Sequence, residues 1–207
     1  MKLTNKILAL LVVFSLFGTQ KLKAQAAFEE GKSYASIGYG YQLLSVKSLF
    51  KSVTTGVEGI KTTGLGPIVF KYEYAVSKKI GIGISGAYTA SSISWTDNDA
   101  IDPNGNSTTY NYKYKYSKFT FTPRLNIHLT ENEKIDPYVG FGLGFKKASF
   151  SLDTNDPTYT DELDLPLDKI SMEASFGCRF LFTEQIGAFV ELGVGHGFFQ
   201  GGVVAKF

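Results

Sequence analysis

Apolar and polar residues alternate with a period of two through most of the chain, in stretches of about ten residues. No other feature of the sequence constrains the fold as strongly. Period two is the strand repeat, because successive side chains of a strand point to opposite faces. The first stretch sets Ala35, Ile37, Tyr39, Tyr41 and Leu43 against Ser36, Gly38, Gly40 and Gln42. A later one sets Ile170, Met172, Ala174, Phe176, Cys178, Phe180 and Phe182 against Ser171, Glu173, Ser175, Gly177 and Arg179. Eight such stretches occur, ending with Phe199, Val203, Ala205 and Phe207 opposite Gln200, Gly202, Val204 and Lys206. The fold class expected is all-β.

The composition of the second face decides which way the sheet closes. A soluble ligand-binding barrel turns its apolar face inward and covers its exterior with Lys and Glu. Here the polar face is mostly Gly, Ser and Thr with isolated charges, as along Gly140-Phe141-Gly142-Leu143-Gly144. Small residues suit the crowded interior of an eight-stranded barrel, which is just wide enough for side chains to fill. The large aliphatic and aromatic residues then face lipid, and closure removes the sheet edges that hydrocarbon would leave unpaired. The expectation is an eight-stranded antiparallel transmembrane up-and-down β-barrel.

The connections alternate in length. Short turns fall at 77–79, 130–134 and 183–185, and long polar links near 44–64, 92–109 and 147–168. Transmembrane barrels keep periplasmic turns short and outer loops long, which puts both termini in the periplasm. Tyr72, Tyr74, Phe180, Phe182 and Phe207 cluster on the short-turn side, with Tyr88 and Phe145 toward the long links, as two interfacial girdles require.

Residues 1–26 are excluded from this barrel. Lys2 and Lys6 precede an apolar run from Ile7 to Phe17, and Ala24-Gln25-Ala26 follows as a small-residue exit. That is the pattern of a cleaved secretory signal peptide, cut after Ala24 or Ala26, and the barrel domain is expected over 27–207. The apolar run has about half of the ~20 residues a spanning helix needs. Four of the 21 basic residues lie in the signal, leaving 17 against 19 acidic residues. With no basic patch left, nucleic-acid binding is dropped. A single Cys excludes an internal disulfide, and with two His it is too little for an ordinary His/Cys zinc site.

The signal, the stretch IDPYVGFGLGF at Ile135–Phe145 and the ending FQGGVVAKF together resemble the small outer-membrane barrels of Gram-negative bacteria, of the outer membrane protein A and X type. The resemblance covers essentially the whole mature chain. It implies an outer-membrane location among lipid and lipopolysaccharide. It also implies that Phe199, Val203, Ala205 and Phe207 are read as an assembly signal by the barrel-assembly machinery, with periplasmic chaperones as partners on the way. The tight connection at His196–Phe198 departs from relatives with a longer loop, and leaves three long links as candidate binding surface.

Lys71, Glu73, Arg124, Lys146, Glu173, Arg179, Glu191 and Lys206 all carry the polar parity. Unpaired buried charge is prohibitive, so mutual pairing into a lumen network is expected, with a narrow pore for ions or small solutes as the alternative. His128 and His196 sit at opposite ends of the barrel, and His196 is expected on the lipid side at the outer rim. No serine nucleophile accompanies it, so the expectation is no enzyme, no catalytic residue and no cofactor. Gly193-x-Gly195-x-Gly197 opens no helix and reads as lumen packing rather than a dinucleotide fingerprint. Asp97, Asp99 and Asp102, and Asp153, Asp156, Asp161, Glu162, Asp164 and Asp168, lack calcium-loop spacing, so no metal site is assigned. Cys178 reads as a small apolar residue.

The apolar parity changes near 88–93 and again near 116–119. A β-bulge at each place would carry Trp95, Tyr110, Tyr112, Tyr114 and Tyr116 above the membrane on a tyrosine-rich hairpin. Its exposed edge would suit strand addition by a surface partner.

Overall fold

The structure is a computed structural model that describes residues 26–41, 60–158 and 169–207. Its strands are β1 (Ser33–Tyr41), β2 (Lys61–Ala75), β3 (Ile80–Ile101), β4 (Ser107–His128), β5 (Ile135–Thr154), β6 (Ile170–Leu181), β7 (Ile186–Val194) and β8 (Phe199–Lys206). They form one closed antiparallel ring in chain order. The ring closes where β1 meets β8, from Tyr34 opposite Lys206 to Tyr41 opposite Phe199. No strand of the ring is therefore left as an edge in hydrocarbon, where unpaired amide groups cost several kcal/mol each.

Burial is inverted relative to a soluble protein. Met172 and Phe182 are 71% and 72% exposed, whereas Arg124, Glu173 and Glu191 are buried. The small residues explain how charged side chains fit inside: Gly81, Gly140 and Gly177 leave the room that Glu73, Arg124 and Tyr138 occupy. At the closing seam β1 and β8 approach tightly, and a Cβ on Gly38 would meet the Phe189 ring at 2.8 Å. Phe189 fills that space together with Val69 and Ala87.

Three sequence expectations change. The link near 92–109 is largely strand, since β3 runs to Ile101 and β4 starts at Ser107, and β5 takes in the start of the link near 147–168 as far as Thr154, with residues 159–168 outside the described ones. Outward apolar residues of β3 run from Ile80 to Tyr88, close to the 9–11 residues a tilted strand needs to cross a bilayer. Residues 90–101 therefore continue beyond the lipid by roughly 40 Å along the strand. The link near 44–64 falls mostly outside the described residues.

The two bulges expected near 88–93 and 116–119 are absent. β3 and β4 keep one register from Ile80 opposite Ile127 to Asp97 opposite Tyr110. The irregularities lie instead between Leu65 and Ile68 and between Asp97 and Ala100. The backbone does not turn over; the inner face changes character. Below, it points into a charged lumen, and above the membrane it packs apolar groups against one another.

His196 is the third change. It is fully buried on the lumen side, not on the lipid face. Gly195, with φ at +112°, turns the chain out of β7, so the strict alternation that assigned His196 to lipid stops one residue before it.

Candidate functional site: a filled lumen and a ribbon beyond the lipid

The described lumen is filled in three layers. The lowest is the chain just before β1. Ala27 and Phe28 are buried in the barrel mouth on the short-turn side, and the Phe28 ring stacks on His128 with centroids 3.3 Å apart. Lys206 donates to the Ala26 carbonyl at 2.8 Å and pairs with Glu29 at 3.0 Å. The Ala27 amide donates to the Asn132 carbonyl at 2.7 Å, and the Tyr34 hydroxyl donates to the Ala27 carbonyl at 3.1 Å.

Above this cap, His128 bridges two carboxylates, with Nδ1 2.6 Å from Asp136 and Nε2 2.9 Å from Glu73. Arg179 pairs with Glu73 and with Asp136, and lies 4.8 Å from the ring centroids of both Tyr34 and Tyr138. A guanidinium held between two aromatic faces keeps its charge stabilised without water.

The third layer centres on Arg124. It donates to Glu173 and to Glu191 at 2.6 Å each, to Ser175 at 2.9 Å and to Asn126 at 2.6 Å. Glu191 also pairs with Lys71 and accepts from the Tyr138 hydroxyl at 2.7 Å. Glu173 accepts from Ser85 at 2.5 Å and lies 3.6 Å from His196 Nδ1. Lys71 sits over the Phe189 ring at 4.8 Å.

Of the eight lumen residues expected from parity, six form these two upper layers. Lys206 belongs to the cap on the short-turn side, and Lys146, opposite Thr120, lies nearer the outer end. The expected charge set leaves out His128, Asp136 and Tyr138, which the structure brings into the same network. Asp136 and Tyr138 share the parity of Gly140, and His128 that of Asn126, so the pattern that found Arg124 could have found them too.

The second feature lies above the membrane. Ile93, Tyr110 and Leu152 are buried there, and Trp95 stacks with Tyr112 and Tyr114 at 5.1 and 5.5 Å between centroids. Tyr114 in turn meets Phe150 at 5.4 Å. The aromatic residues expected above the membrane on the hairpin, Tyr116 included, are buried or half-buried on its inner face. Strand propensity and aromatic packing stiffen the ribbon where no lipid supports it.

Polar caps complete it. Asn155 accepts from the Asn111 amide at 2.7 Å and donates to the Thr109 carbonyl at 3.3 Å, covering part of the β4 edge that β5 leaves. At the tip, Asp102 accepts from the Asn104 and Asn106 amides at 2.9 and 2.8 Å, and these bonds hold its carboxyl below the usual range. Asp156 is lowered likewise, by Thr158 and by the Tyr112 hydroxyl at 2.6 Å. Asp161, Glu162, Asp164 and Asp168 lie outside the described residues, and no cluster able to hold a metal ion occurs among the described ones.

A ring of eight strands with lipid-facing aromatic girdles and a polar, filled interior defines a transmembrane barrel. The chain belongs to the outer membrane protein beta-barrel domain family, whose model matches residues 8–200. Its location is accordingly the outer membrane. Similar solved structures include OprG from Pseudomonas aeruginosa, at 10% identity and a TM-score of 0.46, covering 87% of this chain and 97% of that one. The N-terminal β-barrel domain of Pseudomonas aeruginosa OprF matches at 12% identity and 0.41, over 86% and 98% of the two chains. Ail of Yersinia pestis, in complex with the heparin analogue sucrose octasulfate, matches at 16% and 0.39, over 86% and 100%. No curated protein is significantly similar in sequence.

Proposed function

We propose that this protein is a non-enzymatic outer-membrane barrel that reinforces the envelope and binds at the cell surface through the β3–β4 ribbon. The observation that carries the reading is the contrast between the two ends of the chain's surface. The lumen is occupied layer by layer by paired charges and aromatic rings, whereas β3 and β4 continue well beyond the lipid as an ordered, aromatic-stiffened hairpin. The filled lumen argues against the narrow-pore alternative. A lipid-modifying activity lacks a base at the lipid face, because both His are buried inside and face carboxylates.

In this reading a signal peptide within residues 1–26 is removed on export, cut after Ala24 so that the Ala26 carbonyl held by Lys206 stays with the barrel. Phe199, Val203, Ala205 and Phe207 serve as the assembly signal for the barrel-assembly machinery after periplasmic chaperones deliver the chain. Outer-membrane lipid and lipopolysaccharide are its permanent surroundings.

The test uses cells lacking the protein, complemented with the wild type or with a variant in which residues 96–109 are replaced by a short turn. Both should restore detergent resistance of the envelope, and only the wild type should restore adhesion to surfaces. Equal adhesion by the two removes the ribbon from the function. Unchanged detergent resistance in the uncomplemented cells removes the envelope role.

A further inference from the structure

The outer face of the barrel carries a groove, lined mainly by outward-facing residues, with the inner-face Ser91 and Tyr116 also reaching its wall. It has a volume of about 640 Å³ and crosses β2, β3, β4 and β5 just above the lipid-facing band. Strand register shows how it is made. At its foot Tyr88, Phe119 and Lys147 lie side by side, with the first two marking the upper aromatic girdle. The next outward row is Ala90, Ser117 and Ser149, whose small side chains create the hollow. Hydroxyls follow, with Thr63 beside Ser92 and Ser92 beside Lys115, and Lys113 stands one row higher between Ser94 and Asp153.

Along this path the surface passes from aromatic to small, then to hydroxyl, then to cationic. The rise from Tyr88 to the row of Lys115 is ~14 Å along the strand. The charge of this patch is one-sided. Lys61, Lys113, Lys115 and Lys147 face outward here, and among the described residues in these rows only Asp153 opposes them. Asp153 pairs with Lys115 at 3.1 Å, both side chains being at least half exposed, so that the pair is weak and Lys115 is readily recruited elsewhere.

We infer that this groove docks the headgroup of an anionic outer-leaflet glycolipid, its acyl chains descending past Tyr88 and Phe119 and its sugar phosphate meeting Lys113 and Lys115. The inference rests on the outer-membrane orientation in the reading above. An aromatic floor at the interface favours a molecule whose lower part is in hydrocarbon. Small and hydroxyl-bearing walls fit a sugar ring, and lysines at the upper end fit phosphate as point charges. A soluble anion would have no use for the apolar end of the groove, and a partner protein would have no use for its continuity with the membrane.

The experiment uses the folded barrel in detergent micelles, verified by its heat-shifted mobility on gels, and titrates bis-phosphorylated lipid A with binding read by native mass spectrometry. A lysine near an anionic lipid surface contributes about 1 kcal/mol, or about five-fold each, so Lys113→Gln with Lys115→Gln should weaken binding by roughly 25-fold. Lys78→Gln with Lys79→Gln, at a turn on the opposite end, should leave it unchanged. Lipid A stripped of phosphate should bind the wild type as weakly as the intact lipid binds the double variant. Equal binding by wild type and the Lys113/Lys115 variant, equal binding of the two lipids, or an equal loss in the Lys78/Lys79 control would overturn the inference. A barrel that folds but binds no lipid A overturns only the groove. A chain that fails to fractionate with the outer membrane overturns the orientation beneath it.

Discussion

Replacing Arg124 with Met tests the lumen network at its centre. Met keeps much of the stem's volume but removes every donor. Glu191 would retain Lys71 and the Tyr138 hydroxyl, so its charge stays compensated. Glu173 would keep Ser85, the more distant His196 and the charge of Lys71 in its surroundings, but would lose the guanidinium that pairs with it directly at 2.6 Å. Removing one partner of a buried pair costs about 3–5 kcal/mol, because the remaining charge is left without compensation. With a urea slope of about 2 kcal/mol per molar, the unfolding midpoint should fall by roughly 1.5–2.5 M. Unfolding is followed in micelles by heat-shifted gel mobility and by the fluorescence of Trp95, the only tryptophan of the chain. Adding Glu173→Gln to Arg124→Met neutralises the orphaned carboxylate and should recover more than half of the loss. A midpoint change below about 0.3 M, or a double variant no more stable than the single one, would refute the claim that paired charge holds the lumen together.

Other outcomes follow from the same geometry. Gly38→Val puts a branched side chain against Phe189 and the β8 backbone, and overpacking of this kind should destabilise the barrel by about 1–3 kcal/mol in the same urea titration. Asp156 is held below the usual carboxylate range by Thr158 and Tyr112, so its contribution to the ribbon is complete above that range and fades only as pH falls through the lowered value. Tyr112→Phe removes one donor and should shift the Asp156 midpoint upward in a carboxyl NMR titration; no shift would remove Tyr112 as a cause. Phe207→Ala should lower the amount of folded barrel in the outer membrane of living cells while leaving refolding of the purified chain in micelles nearly unchanged. Equal effects in both settings would make Phe207 a packing residue only.

The strand pattern was legible because parity is a local property. The lipid-facing side of β6, from Ile170 to Phe182, could be read from alternate positions alone, and so could the pairing-competent face bearing Glu173 and Arg179. Parity holds only while the strand continues in register. Alternation carried on from β7 puts His196 on the lipid side, although the chain is already turning out of the strand at Gly195 into the tight connection that follows. The ribbon departs from the expected bulges for a different reason. Ile93, Trp95 and the tyrosines of β4 share the inner face of the strands below them, and a change of environment from charged lumen to packing beyond the lipid looks in sequence like a bulge. The cap formed by Ala26–Glu29 was invisible, since short segments of Ala, Phe and Glu carry no period. Its contacts with Lys206, Tyr34 and His128 depend on bringing both ends of the barrel wall together.

The central claim is that the ring is closed and its lumen is sealed, so that function lies on the outer surface. Single-channel recording of the mature barrel, refolded into planar bilayers after its heat-shifted mobility has been verified, tests this most directly. The account expects no defined conductance steps from the wild type at moderate voltage. Regular steps whose size changes with Glu173→Gln or Arg124→Met would show ions passing through the layers described as filled, and would contradict it.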